Sequence, residues 1–261
     1  MICDADRRTA AEALATAELE REPIAPLTET YERLDVTDAY HVQIIGVQRR
    51  LRAGHRVCGH KVGLTSTPMQ RLLGVDEPDF GHLMDDMLHA EGSTIEVERY
   101  CAPKIEPELA FCLNAPLAGP GVTVADVLRA TAFVMPALEI IDSRIADWKL
   151  TLADTVADNA SSAGVVLGGT ATRIDAIDPR LVGVVLRRNG EIVETGASGA
   201  ALGNPVAAVA WLANRLAGFG VGLAAGQIVL PGSCTRAIDV TAGTTFRAEF
   251  DLLGSVSVSF A

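Results

Sequence analysis

The amino-acid sequence predicts an α+β fold in which a helical N-terminal segment precedes a large mixed or antiparallel sheet. About fifty N-terminal residues carry apolar side chains at helical spacing, and short β-rich runs dominate the rest of the chain. Asn189-Gly190 joins two β-branched runs, and both residues tolerate the positive φ of a type I′ hairpin turn. The predicted helices are too few and too irregularly placed for a doubly wound α/β fold.

Two helices are predicted in the N-terminal segment. Arg7–Glu20 is dense in Ala, Leu and Glu and contains neither Gly nor Pro, which favours a helix. Thr37–Arg52 places apolar side chains at helical spacing, and either Asp35 or Thr37 can cap its start. We therefore expect residues 1–55 to form a small helical segment and residues 56–261 to form one compact unit.

Strands dominate the remainder of the chain. The β-rich runs that predict them are Arg56–Val62, Ser93–Glu98, Ile105–Leu113, Ala137–Ile141, Gly164–Leu167, Val182–Arg188, Glu191–Thr195 and Gln227–Leu230, with two further strands after Ile238. The helices predicted between them are a short one opened by Thr67 and Pro68, one over Thr123–Phe133, and one over Pro205–Leu216 capped by Asn204.

The composition excludes some partners. The chain has 261 residues, of which 49% are hydrophobic, and this is enough to bury a full core. Its 33 acidic residues outnumber 22 basic ones, for a formal net charge of -11. A negative net charge disfavours sequence-independent binding to phosphate backbones, so nucleic acid is not an expected partner. An anionic ligand would need a local cation, such as a bound metal or a buried Lys.

Cysteine usage and the apolar windows indicate a cytoplasmic protein. Five cysteines without a C-x-x-C pair fit thiols in a reducing compartment better than disulfides. The N-terminal residues show no secretory-signal pattern. Two long uncharged windows, Thr195–Asn214 and Leu216–Thr235, are broken by Gly, Asn and Pro, so we expect buried interior there and no membrane span.

Two glutamates flank a proline in the predicted strand Ile105–Leu113. Strand alternation directs the apolar side chains to the core and Glu106 and Glu108 to the other face. Residues two apart on a strand are separated by roughly 6–7 Å, so their side chains can converge on one hard cation. Pro107 has no backbone N–H to donate to a neighbouring strand, which suggests a sheet edge or a bulge.

A third acid, Glu139, lies inside the apolar run Met135–Ile141, where an ionised side chain is costly unless it is paired or ligated. Three carboxylates with open coordination positions suit Mg²⁺ or Mn²⁺, whereas Zn²⁺ usually takes His or Cys as well. Spacing alone leaves a simpler alternative open, in which Glu106 and Glu108 form a solvated strand face and Glu139 pairs with an arginine such as Arg144.

Longer runs favour the metal interpretation. They occur in the order Lys61-Val-Gly-Leu-Thr-Ser, Gly74-Val-Asp-Glu-Pro-Asp-Phe-Gly-His-Leu, Lys104-Ile-Glu-Pro-Glu-Leu-Ala, Pro136-Ala-Leu-Glu-Ile-Ile-Asp-Ser-Arg-Ile, Asp154-Thr-Val-Ala-Asp-Asn-Ala-Ser and Leu202-Gly-Asn-Pro-Val. From about Thr37 onward the chain resembles the 2-hydroxypenta-2,4-dienoate (2-keto-4-pentenoate) hydratases of the fumarylacetoacetate hydrolase superfamily. Glu106, Glu108 and Glu139 match the three metal ligands of that family.

The resemblance implies a mixed β-roll flanked by helices, a fumarylacetoacetate-hydrolase-like catalytic domain over residues 56–261, and Mg²⁺ or Mn²⁺ as cofactor. The implied reaction adds water to 2-hydroxypenta-2,4-dienoate and gives 4-hydroxy-2-oxopentanoate, a step in the meta-cleavage breakdown of aromatic compounds. The implied ligand is therefore a small 2-oxo or 2-hydroxy dienoic acid. Relatives often form homopentamers or decamers, so the resemblance also implies a homo-oligomer.

The resemblance further assigns roles to Lys61 and Asp79, and Ser161 is a third candidate for the site. Lys61 corresponds to a lysine that helps hold the substrate carboxylate or the developing enolate, and Asp79 to an acid that serves in proton transfer. Ser161 could orient substrate or water. Local chemistry alone is also consistent with simpler roles: a solvated surface lysine, an Asx side chain that stabilises the turn Glu77–Gly81, and a serine that makes a helix cap or a loop hydrogen bond.

Three alternatives to this hydratase stay open. The 2-oxo-3-hexenedioate decarboxylases share the metal acids but tend to lack an acid at the position of Asp79, because loss of carbon dioxide needs no residue to activate water. Hydratases of the longer heptenedioate must bind a second carboxylate, and the sequence does not place the extra cation that this requires. The chain could also be a non-catalytic partner of a decarboxylase or of the downstream aldolase, although it retains Lys61, Asp79 and all three glutamates.

Overall fold

The chain begins with helices and continues in two sheets. The computed structural model describes residues 1–66, 70–71 and 74–261. The α-helices in these ranges are α1 (Asp4–Glu20), α2 (Leu27–Thr30), α3 (Val36–Arg52), α4 (Val124–Ala130), α5 (Leu152–Ala157) and α6 (Pro205–Ala217). The strands are β1 (Val57–Gly63), β2 (Asp79–Met84), β3 (Leu88–His89), β4 (Thr94–Ile95), β5 (Lys104–Leu113), β6 (Thr131–Ile141), β7 (Ser162–Leu167), β8 (Thr172–Arg173), β9 (Gly183–Arg188), β10 (Glu191–Ala197), β11 (Ile228–Leu230), β12 (Ile238–Asp239), β13 (Thr244–Phe250) and β14 (Gly254–Phe260).

The larger sheet has the strand order β2-β1-β11-β5-β6-β7-β3, with β12 paired to β5 and β8 paired to β6. The smaller sheet has the order β10-β9-β13-β14-β4. Most pairs are antiparallel, but β1 with β11, β3 with β7 and β4 with β14 are parallel. Mixed sheets combined with a helical N-terminal segment confirm the predicted α+β class and its mixed β-roll.

The two faces of β5 differ in chemistry. Ile105, Leu109 and Phe111 are at most 1% exposed and belong to the main hydrophobic core. Glu108 and Ala110 alternate with them on the opposite face, where Ala110 joins a small second apolar cluster. The sheet is therefore covered on both sides, and the predicted glutamates lie on the face away from the main core.

The N-terminal helices confirm two sequence predictions. Helix α1 begins at Asp4, slightly before the predicted start, and packs against α3. Asp35 caps α3 by accepting a hydrogen bond from the Asp38 N–H at 2.8 Å. Helix α3 also packs against α5, so the helical segment contacts the sheet-bearing part of the chain. The division at residues 55 and 56 stays a prediction.

The predicted hairpin and the Asn-capped helix are also present. Asn189 and Gly190 have φ values of 50° and 89°, and they join the antiparallel strands β9 and β10. Asn204 caps α6 through its side-chain oxygen, which accepts a hydrogen bond from the Val206 N–H at 3.1 Å. No helix in the described ranges has the length and hydropathy needed to cross a bilayer.

Several predicted boundaries are wrong. The helix predicted over Thr123–Phe133 ends at Ala130, because the residues from Thr131 onward extend β6 and Thr131 pairs with Leu113. The strand predicted over Ser93–Glu98 is confined to Thr94–Ile95 and is followed by a 3₁₀ turn. The short helix predicted to open at Thr67 and Pro68 lies outside the described residues.

Candidate metal centre and active site

The register between β5 and β6 brings the three predicted glutamates together. Glu106 on β5 lies directly opposite Glu139 on β6, and Glu108 follows two residues later on the same face as Glu106. One carboxylate oxygen from each of the three lies within 4.8 Å of the others. Their oxygens thus meet in one place, as the metal interpretation requires.

The cluster lies largely out of solvent: Glu108 and Glu139 are buried, and Glu106 is half-buried. Glu139 is 0% exposed and Glu108 is 1% exposed, and neither oxygen of Glu139 accepts a hydrogen bond within the described part of the chain. Burial and the charge of Glu139 raise the pKa of Glu106 to about 7. Burial and the neighbouring carboxylates raise the pKa of Glu108 well above its usual value. Such orphaned oxygens fit a divalent cation that prefers all-oxygen ligands.

The simpler alternative for these acids is wrong. Glu108 is buried, so the pair on β5 is not a solvated strand face. Arg144 does not pair with Glu139, because its guanidinium Nε lies 2.5 Å from Asp158 Oδ1 and its backbone N–H also bonds to Asp158. The buried partner of Glu139 is Lys61.

Backbone groups after β11 support Glu108. The Gly232 N–H donates to Glu108 Oε2 at 2.8 Å. Gly232 has a φ of +124°, and a Cβ there would clash with Thr65 Oγ1, so only glycine fits. The predicted edge or bulge at Pro107 is wrong, since β5 lies inside the sheet and its register with β6 is regular at Pro107. Pro107 instead lies opposite the gap between β11 and β12, where its carbonyl accepts from the Cys234 N–H at 2.9 Å.

Lys61 is a buried cation and not a solvated surface lysine. It lies on β1 and is 4% exposed. Its Nζ donates to the Ala160 carbonyl at 2.9 Å and lies 3.5 Å from Glu139 Oε1. Burial alone would lower the pKa of this ammonium, but the charges of Glu139 and Asp79 raise it above its usual value. Lys61 therefore stays charged beside the glutamates.

Asp79 is the first residue of β2 and not a turn-stabilising residue. It pairs with Gly63 of β1 and is 2% exposed. Its Oδ2 accepts a hydrogen bond from Thr155 Oγ1 at 3.4 Å, and burial raises its pKa against the opposing charge of Lys61. A Cβ at Gly63 would clash with Asp79 Oδ1 and would lie 3.2 Å from Lys61 Nζ, so this glycine leaves the space that both side chains occupy.

Ser161 ends a left-handed turn beside these groups. Asn159, Ala160 and Ser161 have φ values of 55°, 51° and 57°, a strained conformation for three successive residues other than glycine. Asn159 fixes the turn to β2, because its Oδ1 accepts from the His82 N–H at 2.8 Å and its Nδ2 donates to the His82 carbonyl at 2.9 Å. Ser161 is 4% exposed, and its Oγ lies 3.5 Å from Thr155 Oγ1.

One cavity joins most of these side chains. Its volume is about 680 Å³, and its walls include Lys61, Asp79, Glu106, Glu108 and Ser161. Glu139 does not line the cavity but lies opposite Glu106 in the sheet. The structure thus brings five of the six predicted residues to a single cavity and places Glu139 beside two of them.

The sequence analysis does not identify three residues that position the side chains of the site. Thr155 binds Asp79 and approaches Ser161, Ala160 supplies the carbonyl that binds Lys61, and Asn159 pins the left-handed turn. All three lie within the run that begins at Asp154, in which the sequence singles out only Ser161. Their roles depend on backbone conformation, and the run contains no glycine to indicate positive φ.

Comparisons with known proteins identify a family that matches most of the chain. The fumarylacetoacetate (FAA) hydrolase C-terminal family matches residues 52–260. A 2-keto-4-pentenoate hydratase of Paraburkholderia xenovorans (strain LB400) is 45% identical over 254 residues, which cover 97% of this chain and 94% of that protein. A 2-oxo-hept-4-ene-1,7-dioate hydratase of Escherichia coli is 43% identical and covers 96% of each chain.

Among solved structures, the 4-oxalocrotonate decarboxylase from Pseudomonas putida G7, complexed with magnesium and adipate, superposes with a TM-score of 0.96. It is 37% identical, and the match covers 100% of this chain and 99% of the decarboxylase. The chain therefore belongs to the fumarylacetoacetate hydrolase family, among relatives that include the 2-keto-4-pentenoate hydratases.

Proposed function

We propose that this protein is a hydro-lyase that adds water to 2-hydroxypenta-2,4-dienoate and gives 4-hydroxy-2-oxopentanoate. The observation that carries the proposal is the cluster of Glu106, Glu108 and Glu139 next to the charged Lys61, beside a cavity that Lys61, Glu106 and Glu108 line. The 45% identity to a 2-keto-4-pentenoate hydratase supports the same reaction.

The proposed cofactor is one divalent cation, Mg²⁺ or Mn²⁺, held by the three glutamates. The all-oxygen donor set supports this choice, as do the buried oxygens of Glu139, which accept no hydrogen bond within the described residues. When bound, the cation supplies charge that neutralises the carboxylate of a 2-oxo acid and stabilises its enolate.

The proposed reaction requires several proton transfers. The dienol gains a proton at C5 and loses its hydroxyl proton to become an enone, and water then adds its hydroxyl at C4 and a proton at C3. Asp79 is suited to carry such protons, because it lies beside Lys61 and burial raises its pKa above the usual value of a carboxyl. Thr155 and Ser161 offer hydroxyls beside it that can orient water or substrate.

Lys61 is suited to hold the anionic substrate. Its ammonium is buried and charged, and the Ala160 carbonyl and Glu139 fix its position. A buried cation stabilises a carboxylate or a developing enolate more strongly than one in water. We propose that Lys61 binds the substrate carboxylate or the enolate oxygen.

A decarboxylase of 2-oxo-3-hexenedioate is not favoured. The 4-oxalocrotonate decarboxylase shares the fold at a TM-score of 0.96, but its identity of 37% is below the 45% shared with the hydratase. An acid is retained at Asp79, next to the active-site lysine. A non-catalytic role would not require these buried charges, which are costly to keep in a fold.

Hydration assayed with metal and without it tests the proposal. Purified protein with Mg²⁺ or Mn²⁺ should bleach the ultraviolet absorbance of 2-hydroxypenta-2,4-dienoate, and NMR should identify the product as 4-hydroxy-2-oxopentanoate. Glu106→Gln should stop the reaction, while Glu96→Gln, which removes an exposed carboxylate, should not. Equally fast decay after chelation and dialysis, or faster release of carbon dioxide from 2-oxo-3-hexenedioate, would contradict the proposal.

We also propose a homo-oligomer in the cytoplasm, with a pathway decarboxylase or aldolase as a further candidate partner. Leu181, Ile192 and Leu252 are 72%, 55% and 70% exposed, and apolar side chains of this kind support subunit contacts. All five cysteines are free thiols, which suits a reducing compartment. Light scattering of the purified protein should give a mass several times that of one chain.

A further inference from the structure

The cavity extends well beyond the glutamate cluster. A volume of about 680 Å³ lies in the range of pockets that enclose drug-sized ligands, whereas the proposed substrate is a five-carbon acid. Its lining also includes the apolar side chains of Ile141, Trp148, Leu150 and Ala237, which together form an apolar wall. If the carboxylate end of the substrate lies at the glutamates, the carbon chain beyond C5 faces this apolar wall.

Trp148 is fixed as part of that wall. Asp147 and Trp148 have φ values of 56° and 54°, so two successive residues adopt a left-handed conformation that costs energy without glycine. The indole N–H donates to the Ala102 carbonyl at 3.1 Å, and Lys104 Nζ lies 5.2 Å from the ring centroid. Such a constrained ring presents a rigid apolar surface to the cavity.

Two further cations line the cavity, and both already have acidic partners. Lys104 Nζ lies 2.5 Å from Asp239 Oδ1, and the Arg236 guanidinium forms a salt bridge with Glu194. These are the cations that the described residues contribute to the cavity besides Lys61. A second carboxylate on the substrate would therefore compete with an acid for either one, in a chain whose net charge is -11.

We propose that the Trp148 wall selects 2-hydroxy-2,4-dienoates with an uncharged alkyl substituent at C5 and discriminates against those with a second carboxylate. The inference rests on the proposed function and specifies its substrate class. Trp148 and Leu150 are the specificity-determining residues, since they supply the large apolar surfaces of the wall. Lys104 and Arg236 are already paired with acidic side chains, so neither offers a free positive charge to the second carboxylate of a dicarboxylate substrate.

Binding of unreactive 2-oxo acids tests the inference without turnover. Calorimetry on the Mg²⁺-loaded protein would compare 2-oxopentanoate, 2-oxoheptanoate and 2-oxoheptanedioate. Each added methylene should tighten binding by about fourfold, since burial of a CH₂ contributes ~0.8 kcal/mol. The heptanedioate should bind at least about tenfold more weakly than the heptanoate, because its distal carboxylate loses water without gaining a free cation. Equal or tighter binding of the heptanedioate would overturn the inference.

Variants of the wall separate its two features. Trp148→Ala and Leu150→Ala should each weaken the dependence on chain length, and Trp148→Phe should retain most of it. Glu194→Gln combined with Asp239→Asn frees both cations and should strengthen heptanedioate binding several-fold relative to heptanoate. Glu191→Gln removes an acid from the same strand, β10, and should change neither ratio. An undiminished dependence on chain length in both alanine variants would contradict the role of the wall.

Kinetics then distinguish this inference from the proposed function. The values of kcat/KM for 2-hydroxyhepta-2,4-dienoate and 2-hydroxyhepta-2,4-diene-1,7-dioate compare substrates of equal carbon number, and the first should exceed the second by at least about tenfold. If the enzyme hydrates the pentadienoate but prefers the dioate, the inference is wrong and the proposed function stands. If no dienoate is hydrated, the proposed function is wrong, and the binding order of the 2-oxo acids still decides the inference.

Discussion

Lys61 Nζ lies 3.5 Å from Glu139 Oε1, and both side chains are almost completely buried. The pair links two parts of the site, because Glu139 also belongs to the carboxylate cluster and Lys61 also neighbours Asp79. A buried ion pair of this kind is costly to assemble and contributes little net stability. We infer that the Lys61–Glu139 pair serves the active site, because it holds a fixed positive charge beside the proposed metal centre.

Loss of the Lys61 charge should separate catalysis from metal binding. Lys61→Met should lower kcat for 2-hydroxypenta-2,4-dienoate by about 10² to 10³, the range found when one group that stabilises an oxyanion is removed. Mn²⁺ affinity should be unchanged or higher, because a competing cation leaves the glutamates. The control is Lys149→Met, since the Lys149 side chain is 72% exposed. A kcat within about threefold of wild type would contradict the role of Lys61.

A methyl group at Gly63 should disturb Asp79. The new Cβ would clash with Asp79 Oδ1, so the carboxylate must move and Gly63→Ala should lower kcat by at least about tenfold. Gly46→Ala is the matched control, since a Cβ at that position in α3 meets nothing within 4 Å. It should preserve kcat and stabilise the fold by up to ~1 kcal/mol through helix propensity. Thermal unfolding and steady-state kinetics measure both effects.

Removal of the Asn159 amide should release the left-handed turn from β2. Asn159→Ala deletes both hydrogen bonds to the His82 backbone and should lower stability by about 1–3 kcal/mol. It should lower kcat more than it changes KM, because Ser161 and the Ala160 carbonyl lose their positions. Asn159→Asp keeps the acceptor and should restore part of the activity. Asn189→Ala, which removes the hairpin bond to the Thr245 N–H, should lower stability without a loss of kcat.

Metal stabilisation should depend on pH. Folding raises the pKa of Glu106 from 4.5 to about 7, so the folded metal-free protein holds a proton that the unfolded chain has released. Between these two values the free energy of unfolding therefore falls as pH rises. A divalent cation displaces that proton and offsets the repulsion among the carboxylates.

The increase in Tm caused by Mg²⁺ should accordingly be small at about pH 5.5 and larger at about pH 8. Burial lowers the pKa of His60 and His82, and these groups affect stability in the opposite direction. Their contribution is the same with and without metal, so it cancels in the difference. An increment that stays constant across this pH range would contradict the account.

Local signals in the sequence predict much of the fold. The Asn189-Gly190 turn and the Asn204 cap depend only on the backbone of neighbouring residues, so they can be predicted without knowledge of the tertiary structure. Strand β2 escapes prediction because all of its residues, Asp79–Met84, are buried, which removes the alternation that marks a strand with one solvated face. Without that alternation, the local pattern at Asp79 is typical of a turn.

The candidate site is predictable only in part for a similar reason. Strand periodicity places Glu106 and Glu108 on one face, and burial cost indicates that Glu139 needs a partner. Which residues lie next to Glu139 depends on the register of β5 with β6 and of β1 with β2, and no local sequence pattern specifies these registers. The positive φ values at Asn159 to Ser161 are likewise imposed by tertiary contacts.

Mn²⁺ binding measured by electron paramagnetic resonance and calorimetry tests the central claim most directly. We predict one tightly bound Mn²⁺ per chain, and a loss of affinity of at least about 100-fold in Glu139→Gln, with Glu96→Gln unchanged. Wild-type protein that binds no Mn²⁺, or Glu139→Gln protein that binds it as tightly as wild type, would contradict a metal centre built from these three glutamates.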